Sequence, residues 1–102
     1  MLRIVKIKLS HAADVDALRD AFDKVIDEME DKYIGKRDDA CVRVGGQDVL
    51  GMEVWFLVPC ADPNTSWEAA CDAREGIVAE IHKLAEKQGV EYFPQVSAAE
   101  AS

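Results

Sequence analysis

Three cysteines and two histidines are the side chains of this sequence best suited to nucleophilic, redox or metal chemistry. Cys41, Cys60 and Cys71 are widely spaced and odd in number, so no CxxC pair indicates zinc or dithiol chemistry, and a disulfide framework would leave one thiol over. Nothing in the local sequence marks a thiol as a nucleophile activated by His11 or His82. We expect three partly buried thiols in a reducing compartment, with no catalytic role and no metal.

The glycine pair Gly45–Gly46 suggests a second kind of chemistry, because glycine-rich loops can hold phosphate groups. No helix start follows the pair, and the GxGxxG spacing is absent. The stretch from Gly45 to Asp48 is instead typical of a hairpin turn. We therefore expect no bound phosphate and no other cofactor.

The charge balance excludes two classes of partner. The 102 residues carry 12 Lys and Arg against 20 Asp and Glu, which gives a net charge of -8 and a pI near 4.6. Such a chain repels phosphate backbones and anionic lipid headgroups, so nucleic acid and direct membrane contact are not expected. Its apolar runs are also far shorter than the roughly 20 residues of a transmembrane helix, which predicts a soluble, cytosolic chain.

Periodicity places these residues on strands and helices. The predicted elements are a strand at Leu2–Leu9, a helix at Asp14–Lys32, strands at Cys41–Val44 and Val49–Cys60, a helix at Thr65–Gln88 and a short strand at Val90–Phe93. Thr65 and Glu68 form a capping-box signature, and Gly89 supplies a left-handed helix end. The second helix is predicted to bury Trp67, Ala70, Cys71, Arg74, Ile77, Val78, Ile81, Leu84 and Ala85.

This β-α-β-β-α-β order is the signature of a ferredoxin-like sandwich, an α+β fold with two helices on one face of a four-stranded antiparallel sheet. Right-handed crossovers place both helices on that face and make the first and third strands central. The sequence therefore predicts a single α+β domain over residues 1–96 and a disordered tail over residues 97–102.

The long third strand is apolar on both faces in its second half. Met52, Val54, Phe56 and Val58 share one face, which we assign to the helices. Ile4, Lys6, Trp55 and Leu57 are then expected on the opposite, open face. Since no predicted element remains to cover it, we predict that another chain or domain contacts this face or the adjoining edge. The predicted interface residues are Trp55, Leu57, Phe93 and Pro94.

Several features of the second half of the chain occur together. They are the apolar strand Met52–Val58, a polar break with Asp62, Trp67 at the helix start, Arg74, and the run Gly-Val-Glu-Tyr-Phe-Pro-Gln at 89–95. With them the chain resembles the C-terminal cytosolic domain of the small-conductance mechanosensitive (MscS-type) ion channel family, whose ending is Gly-Ile-x-Ile-Pro-Phe-Pro-Gln. The likeness covers nearly all of residues 2–95 in element order, although this ending is one residue shorter and lacks the first Pro.

The resemblance implies a non-catalytic domain that builds a cytosolic vestibule from several copies, commonly seven. Its work there is oligomeric packing and solute filtering on the cytoplasmic side of the inner membrane, without cofactors or catalytic residues. The membrane helices and middle β domain of such a channel are absent from the 102 residues, which implies an excised domain or a stand-alone relative.

Two other function classes stay open. A stand-alone ferredoxin-like module that binds a regulatory small molecule would favour a polar, glycine-rich loop after the first strand, whereas Ser10–Ala13 contains no glycine. A small enzyme of the dimeric α+β barrel kind would place a His or an acid on the open sheet face. The predicted face offers Lys6, Lys8, Arg43 and Glu53 but no His, so we do not expect an enzyme.

Overall fold

The computed structural model describes residues 1–94, which form an α+β domain with a three-stranded antiparallel sheet and two helices. The elements are β1 (Leu2–Leu9), α1 (Val15–Glu28), β2 (Cys41–Gln47), β3 (Met52–Pro59) and α2 (Ser66–Gln88), with 3-10 turns at Arg37–Asp39 and Pro63–Thr65. The strand order is β1-β3-β2, so β3 is central. The tail predicted for residues 97–102 lies outside the described residues.

The core lies between the sheet and the two helices. Val5, Ile7 and Leu9 of β1 point into it, as do the alternate residues of β3 from Met52 to Val58. The rings of Phe22 in α1 and Phe56 in β3 meet edge to face, with centroids 5.5 Å apart. The predicted assignment of strand faces is confirmed, because a two-residue period fixes which side chains share a face.

Val90–Phe93 is not a strand, so the prediction of four strands is wrong for the described residues. Its backbone bonds to the chain just beyond the end of β1, where the Ser10 amide donates to the Tyr92 carbonyl at 2.6 Å. The Tyr92 side chain is fully buried, and its hydroxyl donates to Oε1 of Gln88 at 2.5 Å. These contacts hold the segment against the end of α2, and β1, predicted to be central, is an edge strand of the described sheet.

The hairpin turn lies further along the chain than predicted. Gly45 belongs to β2, whose register against β3 shifts between Val44 and Gly46. The turn is closed instead by Asp48, whose Oδ1 accepts from the amides of Leu50 and Gly51 at 2.8 and 3.1 Å. Consequently β3 begins at Met52, three residues after the predicted start.

Helix α1 begins as predicted and ends earlier. Asp14 caps it by accepting from the amides of Asp16 and Ala17 at 3.0 and 3.2 Å. The helix stops at Glu28, before the predicted Lys32, because the chain that follows it pairs with the end of β3. There Ile34 pairs with Cys60, and the Gly35 amide donates to the Pro59 carbonyl at 3.1 Å.

Helix α2 has nearly the predicted bounds, and its buried face agrees with the prediction at Ile77 and Ile81 but not at the first turns. Its buried residues are Ser66, Ala69, Ala73, Ile77 and Ile81, whereas Trp67 is 68% exposed. The first turns of the helix therefore bury small side chains and leave Trp67 outside. Gly89 ends the helix in the left-handed conformation with φ 66°, as predicted. Thr65 makes no side-chain capping bond, so the predicted capping box does not form.

Candidate functional site

The open face of the sheet, opposite the helices, is organised in cross-strand rows. The first row joins Ile4, Leu57 and Cys41, which lie opposite one another on β1, β3 and β2. The next row joins Lys6, Trp55 and Arg43. Side chains directly opposite in an antiparallel sheet point to the same face. The face therefore has an apolar end, and beside it a tryptophan with a cation on each neighbouring strand.

Trp55 is half-buried by its own neighbours. The Lys6 ammonium lies 4.9 Å from its ring centroid, and its indole N–H donates to Oε1 of Glu53 at 2.6 Å. A Cβ added at Gly45 would come within 2.2 Å of the indole. The ring therefore packs directly on the Gly45 backbone, at a position where any larger residue would collide with it. A Trp side chain held in one position by such contacts is preorganised to bind a partner at little further entropic cost.

Leu57 is also half-buried, while Ile4 beside it is 46% exposed. The apolar surface that they form at one end of the face extends to Leu2, which is likewise 46% exposed. Leaving large aliphatic side chains in water forgoes roughly 1.5–3 kcal/mol each of burial. This end of the open face is therefore the part of it that gains most from a covering surface.

The four predicted interface residues do not form one patch. Trp55 and Leu57 share the open face, as predicted. Phe93 packs against the core side, with its ring centroid 5.2 Å from that of His82 on α2, and Pro94 follows it half-buried. The helix layer and the sheet therefore separate the pair Phe93–Pro94 from the pair Trp55–Leu57.

The cysteines and histidines are dispersed over the structure. Cys60 is buried, and this burial raises the pKa of its thiol, which opposes formation of a nucleophilic thiolate. The ring of His11 is exposed, and its Nε2 lies 2.7 Å from the Asp48 carbonyl oxygen. Within residues 1–94, no three His, Cys, Asp or Glu side chains are placed to hold a metal ion.

The remaining charged contacts tie loops and helices together. Lys8 pairs with Asp48, and this hydrogen bond, followed by those from the Leu50 and Gly51 amides, lowers the pKa of the Asp48 carboxyl. The pair links the open face of β1 to the hairpin turn. The described part of the chain contains no helix both long and apolar enough to cross a membrane.

Two structural features of candidate surfaces were missed from the sequence. The first is the support of Trp55 by Gly45; a glycine at a bulge beside a facing tryptophan is the signal for it. The second is the exposure of Trp67 beside the β1 edge, which the high content of small residues at positions 69, 73 and 76 of α2 signals.

The sequence matches no protein-family model and no curated protein.

Proposed function

We propose that this chain is a non-catalytic assembly domain that packs against further copies of itself through the open face of its sheet. The observation that supports this best is the apolar end of that face, where Leu2, Ile4 and Leu57 adjoin the supported ring of Trp55. Aromatic residues in such positions are frequent anchors of protein interfaces. Phe93 and Pro94 form the second contact region of the proposal.

The larger protein in the proposal is a small-conductance mechanosensitive channel of the MscS type, with this domain in its cytoplasmic vestibule. The order of β1, α1, β2, β3 and α2 and the ending Gly89–Gln95 support the resemblance. Copies would surround the vestibule, commonly seven, on the cytoplasmic side of the membrane. No nucleic acid, cofactor or catalytic group has a part in it.

The ferredoxin-like arrangement is also part of the proposal, with one modification. In that fold a fourth strand lies beside the first. Here the chain after α2 returns to Ser10, at the end of β1, and contacts it through Glu91 and Tyr92. In the proposal, the place of the fourth strand, beside Leu2–Lys8, is taken by a further segment.

Self-association provides the test. In the double variant Trp55→Ser/Leu57→Ser we expect unchanged helix content and loss of the concentration-dependent association of the wild type, measured by sedimentation velocity. The wild-type contact is expected only at high concentration, because a domain without its tethering membrane part can bury less than the ~1,200 Å² of a stable interface.

The matched control is Val49→Ser/Leu50→Ser, which removes two apolar side chains that are 96% and 49% exposed at the hairpin tip. This variant should associate like the wild type. A wild-type chain that stays monomeric at every concentration, or equal loss of association in both double variants, contradicts the proposal. Unfolding of the Trp55/Leu57 variant would assign these side chains to the domain's own core.

A further inference from the structure

Within residues 1–94, the backbone groups on the outer edge of β1 have no strand partner, and they recur at regular spacing. Met1 and Cys60 exchange hydrogen bonds, from the Cys60 amide to the Met1 carbonyl at 2.7 Å and from the Met1 amine to the Cys60 carbonyl at 3.3 Å. Paired and outward positions alternate along an antiparallel strand, so Arg3, Val5 and Ile7 bond to β3. The amides and carbonyls of Leu2, Ile4, Lys6 and Lys8 then point away from the sheet.

Within the described residues, the chain's own C-terminal segment hydrogen-bonds to this side of the sheet at Ser10, just beyond the end of β1. The Ser10 amide, next in the outward series, donates to the Tyr92 carbonyl. If the segment continued along β1 in this register, Pro94 would lie opposite Lys8. Proline has no amide hydrogen to donate to the outward Lys8 carbonyl, so this ladder is interrupted at its first step.

A groove runs beside the free edge, between β1 and the first turns of α2. It is lined by Arg3, Ile4, Val5, Lys6, Trp67, Ala70, Cys71 and Arg74. Trp67, 68% exposed, is its largest apolar side chain. The groove therefore combines free strand backbone with an exposed aromatic ring, the two features by which proteins capture an extended peptide as an added strand.

The charge of the groove indicates which peptide fits. Among the described residues, its lining contains Arg3 and Arg74 and no carboxylate, while the Lys6 ammonium is directed toward Trp55 on the open face. The Arg3 guanidinium is held in place by Oγ of Ser66, at 3.1 Å from Nε and 3.0 Å from Nη2. A guanidinium binds a carboxylate through two parallel hydrogen bonds. Screening over about 8–10 Å at physiological salt weakens the effect of the more distant acidic surface on this site.

The same charges disfavour a second copy of β1 as the occupant. The charged residues of β1 are Arg3, Lys6 and Lys8, all cations. Two β1 edges paired across a two-fold axis would bring these like charges together, which destabilises a strand pair. An acidic strand has the opposite complementarity.

We propose that the groove between β1 and α2 binds an extended, carboxylate-bearing segment of a partner protein, which pairs with the outward backbone of Leu2–Lys8 and completes the sheet. At about 3.3 Å per residue, the edge accommodates about seven residues. An apolar side chain of the segment covers Trp67, and a carboxylate binds Arg74 or Arg3. The groove shares Ile4 with the open face proposed for self-assembly, but Trp67, Arg74 and the outward backbone of β1 belong to the groove, so either proposal can fail alone.

A labelled heptapeptide of alternating valine and glutamate is the probe, with binding to the full chain followed by fluorescence anisotropy. We expect it to bind at least about tenfold more tightly than the same peptide with lysine for glutamate. A version with N-methylated backbone amides, which retains the charges but cannot form a strand ladder, should bind equally weakly. Equal binding of all three peptides, or no binding by the acidic one, overturns the proposal.

Surface variants locate the site on the protein. Arg74→Glu should weaken the acidic peptide by about tenfold or more, and Trp67→Ser should also weaken it. The matched control Lys36→Glu makes the same charge change at an exposed position in the loop after α1, and should alter affinity less than about twofold because it acts only through screened long-range charge. Equal effects of Arg74→Glu and Lys36→Glu would show that the peptide responds only to the net charge of the protein, and would contradict binding in the groove.

Amide hydrogen exchange by NMR gives a readout of the strand itself. On adding the peptide, the amides of Ile4 and Lys6 should become protected, whereas those of Val5 and Ile7 should be protected already without it. Peptide binding without new protection at Ile4 and Lys6 contradicts strand addition.

Two further outcomes would assign the edge to another occupant. Binding that occurs only after residues 95–102 are removed would assign it to the chain's own C-terminus. Self-association of the wild type that competes with the peptide and is lost in Arg74→Glu would assign it to a second copy. Either result overturns the proposed partner.

Discussion

The two faces of the sheet are built from the same strands and are stabilised differently. Toward the helices, β3 contributes Val54, Phe56 and Val58, each no more than 1% exposed. Toward the open side it contributes Trp55 and Leu57, which stay half-buried. The covered face is held by a continuous core, whereas Trp55 depends on a few contacts with Lys6, Glu53 and Gly45. Stability is therefore concentrated on the covered face, and the open face contributes less to it.

The largest expected effect is a cavity on the covered face. Phe22→Ala removes a side chain that is 1% exposed and packs against Phe56, and should lower the free energy of unfolding by roughly 3–5 kcal/mol in chemical denaturation. Leu57→Ala on the open face should cost less, about 1–2 kcal/mol, because part of its side chain is already in contact with water. Equal losses for the two variants would contradict the difference between the faces.

The support of Trp55 predicts an intermediate effect on the open face. Gly45→Ala places a Cβ 2.2 Å from the indole, so the ring must move, and we expect a loss of about 1–3 kcal/mol. In a Trp67→Phe background, the fluorescence of Trp55 should shift to the red as the ring becomes more exposed. Gly46→Ala is the matched control, since a Cβ there has nothing within 4 Å. If both variants behave alike, Trp55 does not lie on Gly45.

A smaller loss of stability is expected when the Tyr92 hydroxyl, at the border of the core, is removed. Tyr92→Phe keeps the buried ring and removes the hydroxyl that donates to Gln88 Oε1. The expected loss is about 1 kcal/mol by thermal or denaturant unfolding. Tyr92→Ala should cost several times more through cavity formation. A loss for Tyr92→Phe as large as that for Tyr92→Ala would show that the hydroxyl, and not the ring, anchors the segment.

The smallest effect concerns the solvent side of the helix layer and depends on pH. Glu80 of α2 lies 3.3 Å from the Lys24 ammonium of α1 and 3.4 Å from that of Lys83. Desolvation alone would raise the pKa of Glu80, but the hydrogen bonds and charges of the two lysines outweigh it and lower the pKa below the ordinary 4.5. The ionised form is therefore favoured by folding.

A group with a lowered pKa stabilises the fold above its ordinary pKa, and this contribution is lost as the pH falls through the lowered value. Glu80→Gln should thus reduce stability by about 0.2–1 kcal/mol at pH 7, and wild type and variant should converge as the pH falls below 4.5. Chemical denaturation at several pH values measures this. A difference that grows on acidification would be inconsistent with the ion pairs.

The sequence predicted correctly those features that depend on interactions between residues close together in the chain. The two-residue period assigned the faces of β1 and β3, Asp14 marked the start of α1, and Gly89 marked the end of α2. Each depends on side-chain alternation or on the backbone preference of one residue, which neighbouring elements did not override. The α+β class followed from these assignments.

The predictions were wrong where contacts between residues far apart in the sequence determine the local structure. The end of α1 is set by the pairing of Ile34 with Cys60, a residue 26 positions along the chain. The expected fourth strand is instead a coil anchored by the burial of Tyr92. In α2, Ile77 and Ile81 are buried as predicted, but the first turns bury Ala69 and Ala73 and leave Trp67 outside.

The sequence by itself determined the charge, the α+β class, the order of the elements through α2 and the side chains that share each strand face, because these follow from composition and local periodicity. Only the tertiary structure decided that β1 is an edge of the described sheet, that Trp55 lies on Gly45, and that Trp67 and Arg74 border the β1 groove. These features depend on how closely separate elements approach one another, and that distance is fixed by packing across the whole core.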